Sequence, residues 1–73
     1  MAADSVYKVI ELIGTSSESW EKAARTAVER AAESLRDLRI AEVAAMDLQI
    51  EDGKPTVFRT KLKVSFKYEK GSD

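Results

Sequence analysis

Three acidic side chains in the middle of the chain could bind a hard metal ion. Asp47, Glu51 and Asp52 lie close together in the sequence, and carboxylate oxygens are the ligands that calcium prefers. Their spacing does not match an EF-hand loop, and Asp52-Gly53 is also typical of a tight turn. For a single chain the turn is the favoured interpretation. A symmetry axis, however, could gather one carboxylate from each of several copies, and Asp47 is then the first choice as a calcium ligand.

The side chains that most often catalyse reactions are missing. The 73 residues include no histidine and no cysteine, which removes the commonest general base and every thiolate nucleophile. Ser16, Ser17 and Ser19 have no base to activate them and are better interpreted as helix caps. The remaining carboxylates, lysines and tyrosines form no distinctive pair. The sequence therefore predicts a protein that is not an enzyme.

Basic side chains alternate with other residues near the end of the chain, at Arg59, Lys61, Lys63 and Lys67. Such a row could contact nucleic-acid phosphates or cradle a phosphate group. That side of the strand carries no aromatic residue on which bases could stack, and the formal net charge is −1. Acidic residues are also available nearby, at Glu42, Asp47 and Glu51. We therefore expect a solvated or interface face of a sheet, and no nucleic-acid partner.

Length and composition predict one small domain over residues 1–73, with an ordered core of about residues 5–69. The first residues have neither a basic region nor an apolar run, and no stretch is apolar enough to span a membrane. We therefore expect a cytoplasmic protein with no membrane partner. A core of this size contributes only about 3–5 kcal/mol, and without disulfides oligomerisation is the remaining way to add stability.

The longest periodic stretch covers residues 17–38 and predicts an α-helix of about 33 Å. Its apolar residues recur at helical spacing: Trp20, Ala23, Ala24, Ala27, Val28, Ala31, Leu35 and Leu38. The hydroxyls of Thr15, Ser16 and Ser17 are all candidates for the N-cap, and the sequence does not choose among them. Trp20 is predicted to anchor the core or an interface.

Three stretches are typical of β-strands. Residues 5–13 form the first, followed by Gly14, which we expect to make a sharp turn into the helix. In the second, residues 39–51, Val43 and Met46 are an odd number of positions apart, so a regular strand would place them on opposite faces. We therefore predict a bulge near Ala44-Ala45; a two-sided strand with a polar interruption is the alternative. A turn at residues 51–54 then leads to residues 57–69, where a face of apolar residues and Thr60 alternates with a face of basic residues and Ser65.

These elements predict an α+β fold of the order βαββ. A helix return makes the first and second strands parallel, and the hairpin makes the third antiparallel to both. Placing the third strand in the centre makes every neighbouring pair antiparallel. The result is a three-stranded antiparallel sheet wrapped around one helix, with two open edges that favour self-assembly.

The same elements resemble the dodecin family over roughly residues 5–69. The resemblance rests on the first strand with its turn, Trp20, the alanine-rich helix, and two strand segments: residues 6–16, 35–38, 41–43 and 63–66. It implies a hollow homododecamer that serves as a non-enzymatic flavin store, with flavins held at two-fold interfaces.

Two positions depart from the flavin-binding members. Those members carry a tryptophan, which stacks on the flavin ring, where this chain has Ile40, and a glutamine, which hydrogen-bonds the ring edge, where it has Arg59. The segment Arg39-Ile40-Ala41 together with Arg59 resembles the calcium dodecins, which share the shell but lack those flavin residues. The resemblance thus implies ligand-pocket positions at Arg39, Ile40 and Arg59, weak or absent binding of FMN or riboflavin, and calcium as an ion partner.

We therefore predict a dodecin-like shell for storage or binding of a small ligand or ion. Two alternatives stay open at this point: a functional flavin store that uses other pocket residues, and an unrelated small interaction module with a basic sheet face.

Overall fold

A computed structural model describes residues 4–68 and has four elements. They are β1 (Tyr7–Ser16), α1 (Trp20–Ala32), β2 (Leu38–Glu51) and β3 (Lys54–Lys67). The predicted βαββ order is confirmed. Residues 1–3 and 69–73, including Glu69 at the predicted end of the last strand, lie outside the described residues. Among the residues described, no helix is long and apolar enough to cross a membrane.

The sheet has the strand order β1-β3-β2, and both neighbouring pairs are antiparallel. β3 is therefore central, as predicted. Its even-numbered residues Thr60, Leu62 and Val64 are almost fully buried because they face α1, which contributes the buried Ala23, Ala27 and Ala31. Alanines on this helix face allow α1 to approach the sheet closely, so that Leu62 and Val64 form the centre of a small core.

The helix is shorter than predicted at both ends. It begins after Ser19, whose hydroxyl accepts a hydrogen bond from the Lys22 N–H at 3.0 Å. The cap is thus Ser19, which the sequence analysis counted among the capping serines, and not Thr15, Ser16 or Ser17, the candidates for the helix start. Ser16 still belongs to β1, and its hydroxyl accepts hydrogen bonds from the Glu18 and Ser19 N–H groups.

The predicted C-terminal end of the helix, at residue 38, was wrong because the helix ends at Ala32. After Ala32 the Ser34 N–H bonds to the Ala31 carbonyl in a tightened turn, and Asp37 adopts a left-handed backbone with φ of 59°. Aspartate tolerates that conformation better than most residues. The chain therefore reverses direction, and Leu38 opens β2 opposite Phe66 although its spacing fits the helix period.

Gly14 has a different role from the predicted turn. It lies inside β1, opposite Thr60, and β1 continues two residues beyond it. A Cβ atom at this position would clash with the carbonyl oxygen of Ala23 and would stand 3.0 Å from the Ala27 side chain. Glycine is needed here because the helix backbone rests directly against the strand.

The predicted bulge in β2 is confirmed by a register shift between Val43 and Ala45. The shift brings Val43 and Met46 to the same face, because they pair with Leu62 and Thr60, which both face the helix. The hairpin that follows turns at Asp52 and Gly53, with φ values of 53° and 75°. Two positive φ values are typical of the type I′ turn expected from an Asp-Gly pair.

The helix covers only part of the sheet. α1 packs mainly on β1 and β3 and touches β2 at few points. All residues of β2 except Leu38 are exposed, and the long β2–β3 hairpin gives the chain dimensions of 55 × 20 × 14 Å. One copy of the chain therefore leaves much of its sheet without a covering layer.

Candidate functional site

The sheet face opposite the helix carries most of the residues selected from the sequence. Because paired residues in an antiparallel sheet point to the same side, two basic residues of β3 stand beside acids of β2. Arg59 is opposite Asp47, and Lys63 is opposite Glu42 on one side and Glu11 on the other. Arg59 and Lys63 are thus opposite acids, whereas the cross-strand neighbours of Lys61 are Ile13 and Ala45. The solvated or interface role of this outer face stays a prediction.

Asp47 and Arg59 form the closest ion pair of this face. The Arg59 Nε donates to Asp47 Oδ1 at 2.7 Å, and Nη2 donates to Oδ2 at 3.0 Å. This two-point geometry matches the planar guanidinium to both carboxylate oxygens. The hydrogen bonds from Arg59 hold the pKa of Asp47 below its usual value, and the positive charges of Arg59 and Lys61 act in the same direction.

Asp47 is also connected to the helix through its backbone. The Trp20 Nε1 donates to the Asp47 carbonyl oxygen at 3.1 Å, and the indole meets the Phe58 ring edge-on with a centroid separation of 5.0 Å. The buried Thr60 hydroxyl donates to the Trp20 carbonyl at 3.0 Å. Trp20 is therefore the predicted anchor, half-buried in a single chain. The roles of Phe58 and Thr60 in holding it escaped the sequence analysis, since both looked like ordinary members of an alternating strand.

Arg39 and Ile40 lie at the opposite end of the outer face. Ile40 pairs with Ser65, whose hydroxyl donates to the Ile40 carbonyl at 3.4 Å, and its side chain is 66% exposed. Arg39 stands 4.0 Å from the Asp37 carboxylate.

Within one chain, Ile40 and Arg59 do not meet. Their partners on the neighbouring strand are Ser65 and Asp47, which places the two side chains about 20 Å apart along the sheet. A pocket that used both positions would therefore have to be completed by a second copy.

The described part of one chain does not assemble a metal site by itself. The described residues contain no group of three or more acidic side chains close enough to hold a metal ion. Both carboxylate oxygens of Asp47 accept hydrogen bonds from Arg59, and Glu51 accepts one from the Gln49 side chain at 2.9 Å. A calcium ion at Asp47 would need further oxygen ligands from other copies and would compete with Arg59.

Comparison with known proteins places these features in context. A family model described as Dodecin matches residues 6–69. The chain is 51% identical over 63 residues to the calcium dodecin of Mycobacterium tuberculosis, covering 86% of this chain and 89% of that protein.

Solved structures agree in fold. The crystal structure of the M. tuberculosis calcium dodecin, described as calcium-chelating with a calcium-binding site, matches with a TM-score of 0.81 and 46% identity over 94% of this chain and 99% of its own. The dodecin from Streptomyces coelicolor matches with a TM-score of 0.89 and 37% identity, covering 96% and 100% of the two chains.

Proposed function

This chain belongs to the dodecin family, and we propose that it is the subunit of a non-enzymatic, hollow homododecamer. The shell would bind small ligands or ions, calcium among them, and would bind flavin weakly or not at all. The observation that carries the proposal is the pair of substitutions at Ile40 and Arg59, on a chain 51% identical to a calcium dodecin.

Ile40 supports the weak binding of flavin. Flavin-binding dodecins stack the flavin on a tryptophan at this position, and isoleucine has no π surface. Stacks of a base on an aromatic side chain contribute about 1–3 kcal/mol each. Two chains meet at the two-fold axis in such a pocket, so the loss occurs twice for each site.

Arg59 supports the same conclusion. The guanidinium can only donate hydrogen bonds, whereas the glutamine of flavin-binding members both donates and accepts. In this chain two of its five N–H groups already bond to Asp47, so a flavin ring could reach only the remaining donors while that ion pair is kept.

Calcium binding is supported by the similarity to the M. tuberculosis protein and by acidic side chains on an outer face that other copies can approach. Asp47 remains our first choice as a ligand. Its carboxylate is ionised at neutral pH, as that of an aspartate with the ordinary pKa of 3.8 already is, and a calcium ligand must be ionised. The Arg59 side chain is the group that an incoming ion would displace.

Flavin titration tests the pocket. We expect the protein to purify without yellow colour and to bind FMN at least about 30-fold more weakly than a flavin-binding dodecin, since two lost stacks remove 2 kcal/mol or more. The double variant Ile40→Trp with Arg59→Gln should gain binding, measured by quenching of flavin fluorescence. Arg39→Lys, which keeps the charge, is the control. Tight quenching by the unmodified protein would contradict the proposal and favour a flavin store that uses other residues.

Thermal denaturation with and without calcium tests the ion. A ligand that binds only the native state stabilises it by about 2.7 kcal/mol at 100 times its Kd, so we expect the melting temperature to rise. The rise should be lost in Asp47→Asn and kept in Glu18→Gln, the matched control, whose carboxylate pairs with Lys22 near the start of the helix. Equal rises in the wild type and Asp47→Asn would exclude Asp47, and no rise in the wild type would contradict calcium binding.

A further inference from the structure

Asp37, Asp47 and Asp52 differ in the residue that follows them. Leucine follows Asp37 and Asp47, whereas glycine follows Asp52, and no other aspartate of the chain precedes a glycine. The carboxyl group of an aspartate can react with the backbone nitrogen of the next residue, and a side chain on that residue crowds the approach. Glycine has no Cβ atom, and the space around Gly53 is open, because a Cβ atom there would meet nothing within 4 Å. The nitrogen that follows Asp52 is therefore the least shielded of the three.

The three carboxylates also differ in their partners. Asp47 accepts hydrogen bonds from Arg59 at 2.7 and 3.0 Å, and the Asp37 carboxylate lies 4.0 Å from the Arg39 guanidinium. Within residues 4–68 the structure gives the Asp52 carboxylate no hydrogen bond and no ion pair. The Asp52 side chain is thus held by no partner in this part of the chain and can turn towards its own backbone.

The closed turn does not itself allow the reaction. Asp52 and Gly53 have φ values of 53° and 75°, which fit a type I′ turn. In that turn the nitrogen of the second residue points away from the side chain of the first. The Asp52 carboxyl carbon can therefore reach the Gly53 nitrogen only when the turn opens.

The tip of the hairpin is weakly held, so that opening is easy. The register shifts after Gln49, and beyond the shift the tip has two cross-strand pairs, Ile50 with Pro55 and Glu51 with Lys54. Proline has no N–H to donate, and residues 49–56 are all exposed. Segments with few buried contacts and exposed backbone hydrogen bonds open at little cost in free energy. The tip can thus open while the rest of the sheet stays folded.

We propose that Asp52 is a site of spontaneous covalent modification, at which the backbone converts to isoaspartate. The Gly53 nitrogen forms a bond to Asp52 Cγ, and the carboxyl hydroxyl leaves with the amide proton as water, which gives a cyclic succinimide. Water then adds to the former backbone carbonyl carbon and breaks its bond to the nitrogen, so the chain continues through the side chain. Addition of water to the other carbonyl restores aspartate. Water is the only co-reactant.

The modification changes the end of the hairpin and leaves the core in place. Isoaspartate adds one carbon to the backbone of a two-residue turn, and the length of the turn fixes the register of the strands it joins. Glu51 and Lys54 would then lose their pairing. Leu62 and Val64, which form the centre of the core, lie farther along β3 and keep their contacts with α1.

Incubation of the purified protein at neutral pH and physiological temperature for several weeks tests the site. Peptide mapping with electron-transfer fragmentation locates isoaspartate, and the chain contains no asparagine that could also produce it. We expect at least about ten times more isoaspartate at Asp52 than at Asp37 or Asp47, which corresponds to a reaction barrier lower by about 1.4 kcal/mol. Equal amounts at the three positions would overturn the proposal.

Two variants test the chemistry. Asp52→Asn forms the same ring with ammonia as the leaving group, and Asn-Gly also suits a type I′ turn, so a gain in mass should reveal faster conversion to aspartate and isoaspartate. Asp52→Glu is the matched control, because its longer side chain would have to close a larger ring, and it should stay unmodified at residue 52. A stable mass for Asp52→Asn would contradict ring formation in the folded protein.

A parallel incubation in urea tests the opening of the turn. The unfolded chain should form isoaspartate at Asp52 faster than the native protein, because the turn is then open throughout. Isoaspartate that appears in urea but not in the native protein would overturn the proposal, since the turn would then stay closed in the folded chain.

Discussion

Asp47 joins the two faces of the sheet through different atoms. Its carboxylate binds Arg59 on the outer face, and its backbone carbonyl accepts the Trp20 N–H from the helix side. Any change at the carboxylate, whether protonation or metal binding, therefore occurs next to the residue that positions the start of α1. Because the pKa of Asp47 is lowered in the folded protein, the contribution of its ion pair to stability depends on pH.

Asp47→Asn should lose stability relative to the wild type at neutral pH, by a small amount because the pair is exposed. The Arg59 hydrogen bonds lower the pKa of Asp47 from its ordinary 3.8. The contribution of the ion pair is therefore present above about pH 4 and disappears as the pH falls through the folded-state pKa. Urea denaturation from about pH 7 down to about pH 2 should show the two proteins converging.

Glu18→Gln is the matched control for that comparison. Glu18 pairs with Lys22 at 3.2 Å near the same end of the helix. The substitution therefore removes an exposed carboxylate without changing a residue of the sheet. A difference between the wild type and Asp47→Asn that stayed constant over the whole pH range would show that the substitution acts through packing.

The position of α1 depends on the small residues at its contact with β1. Ala23 and Ala27 face Gly14 across that contact, and the side chain of Ala23 is fully buried. This close approach lets a helix of only 13 residues cover two strands. The contact requires that residue 14 has no Cβ atom, so a single substitution tests it.

Gly14→Ala should destabilise the protein by about 3 kcal/mol or more, at the upper end of the cost of overpacking a core. The new Cβ would meet the Ala23 carbonyl, which belongs to the helix backbone and cannot rotate away. Chemical denaturation measures the change in the free energy of unfolding.

Gly53→Ala separates the packing effect from the general cost of replacing glycine. A Cβ at Gly53 meets nothing within 4 Å, but the φ of 75° is unfavourable for alanine, so we expect a loss of about 1–2 kcal/mol. A cost at Gly14 no larger than the cost at Gly53 would mean that the helix moves away from β1 easily.

The whole chain is elongated rather than compact. Its radius of gyration is 15.1 Å, whereas a compact chain of this length has about 11 Å. The excess comes from the β2–β3 hairpin, which extends beyond the part of the sheet that α1 covers. A shape of this kind exposes apolar residues on both faces of β2, including Ile40 and Met46.

We expect the protein to be much heavier than one chain at micromolar concentration, with twelve chains as the expected assembly. Because subunit contacts stabilise only the native state, dilution should also lower the melting temperature. Multi-angle light scattering and a dilution series measure the two effects. A stable species of one chain mass, with a melting temperature independent of concentration, would contradict self-assembly.

Local patterns in the sequence were enough to predict the architecture. The requirement that neighbouring strands pair antiparallel placed the third strand in the centre, and the change of parity between Val43 and Met46 located the bulge that the register shift confirms. Asp52-Gly53 predicted the hairpin turn. These features depend on residues close in the sequence, where the periods of helix and strand and the preferences of turns determine which side chains share a face.

Contacts between distant residues were decided only by the tertiary structure. The spacing of Leu35 and Leu38 fits a helix, yet the chain reverses at Asp37 because Leu38 pairs with Phe66 on β3. Gly14 resembled a turn residue until the Ala23 backbone was found against it. The partners of Asp47 are 12 and 27 residues away. Sequence periodicity describes the environment of one element at a time, whereas these roles depend on which element packs against another.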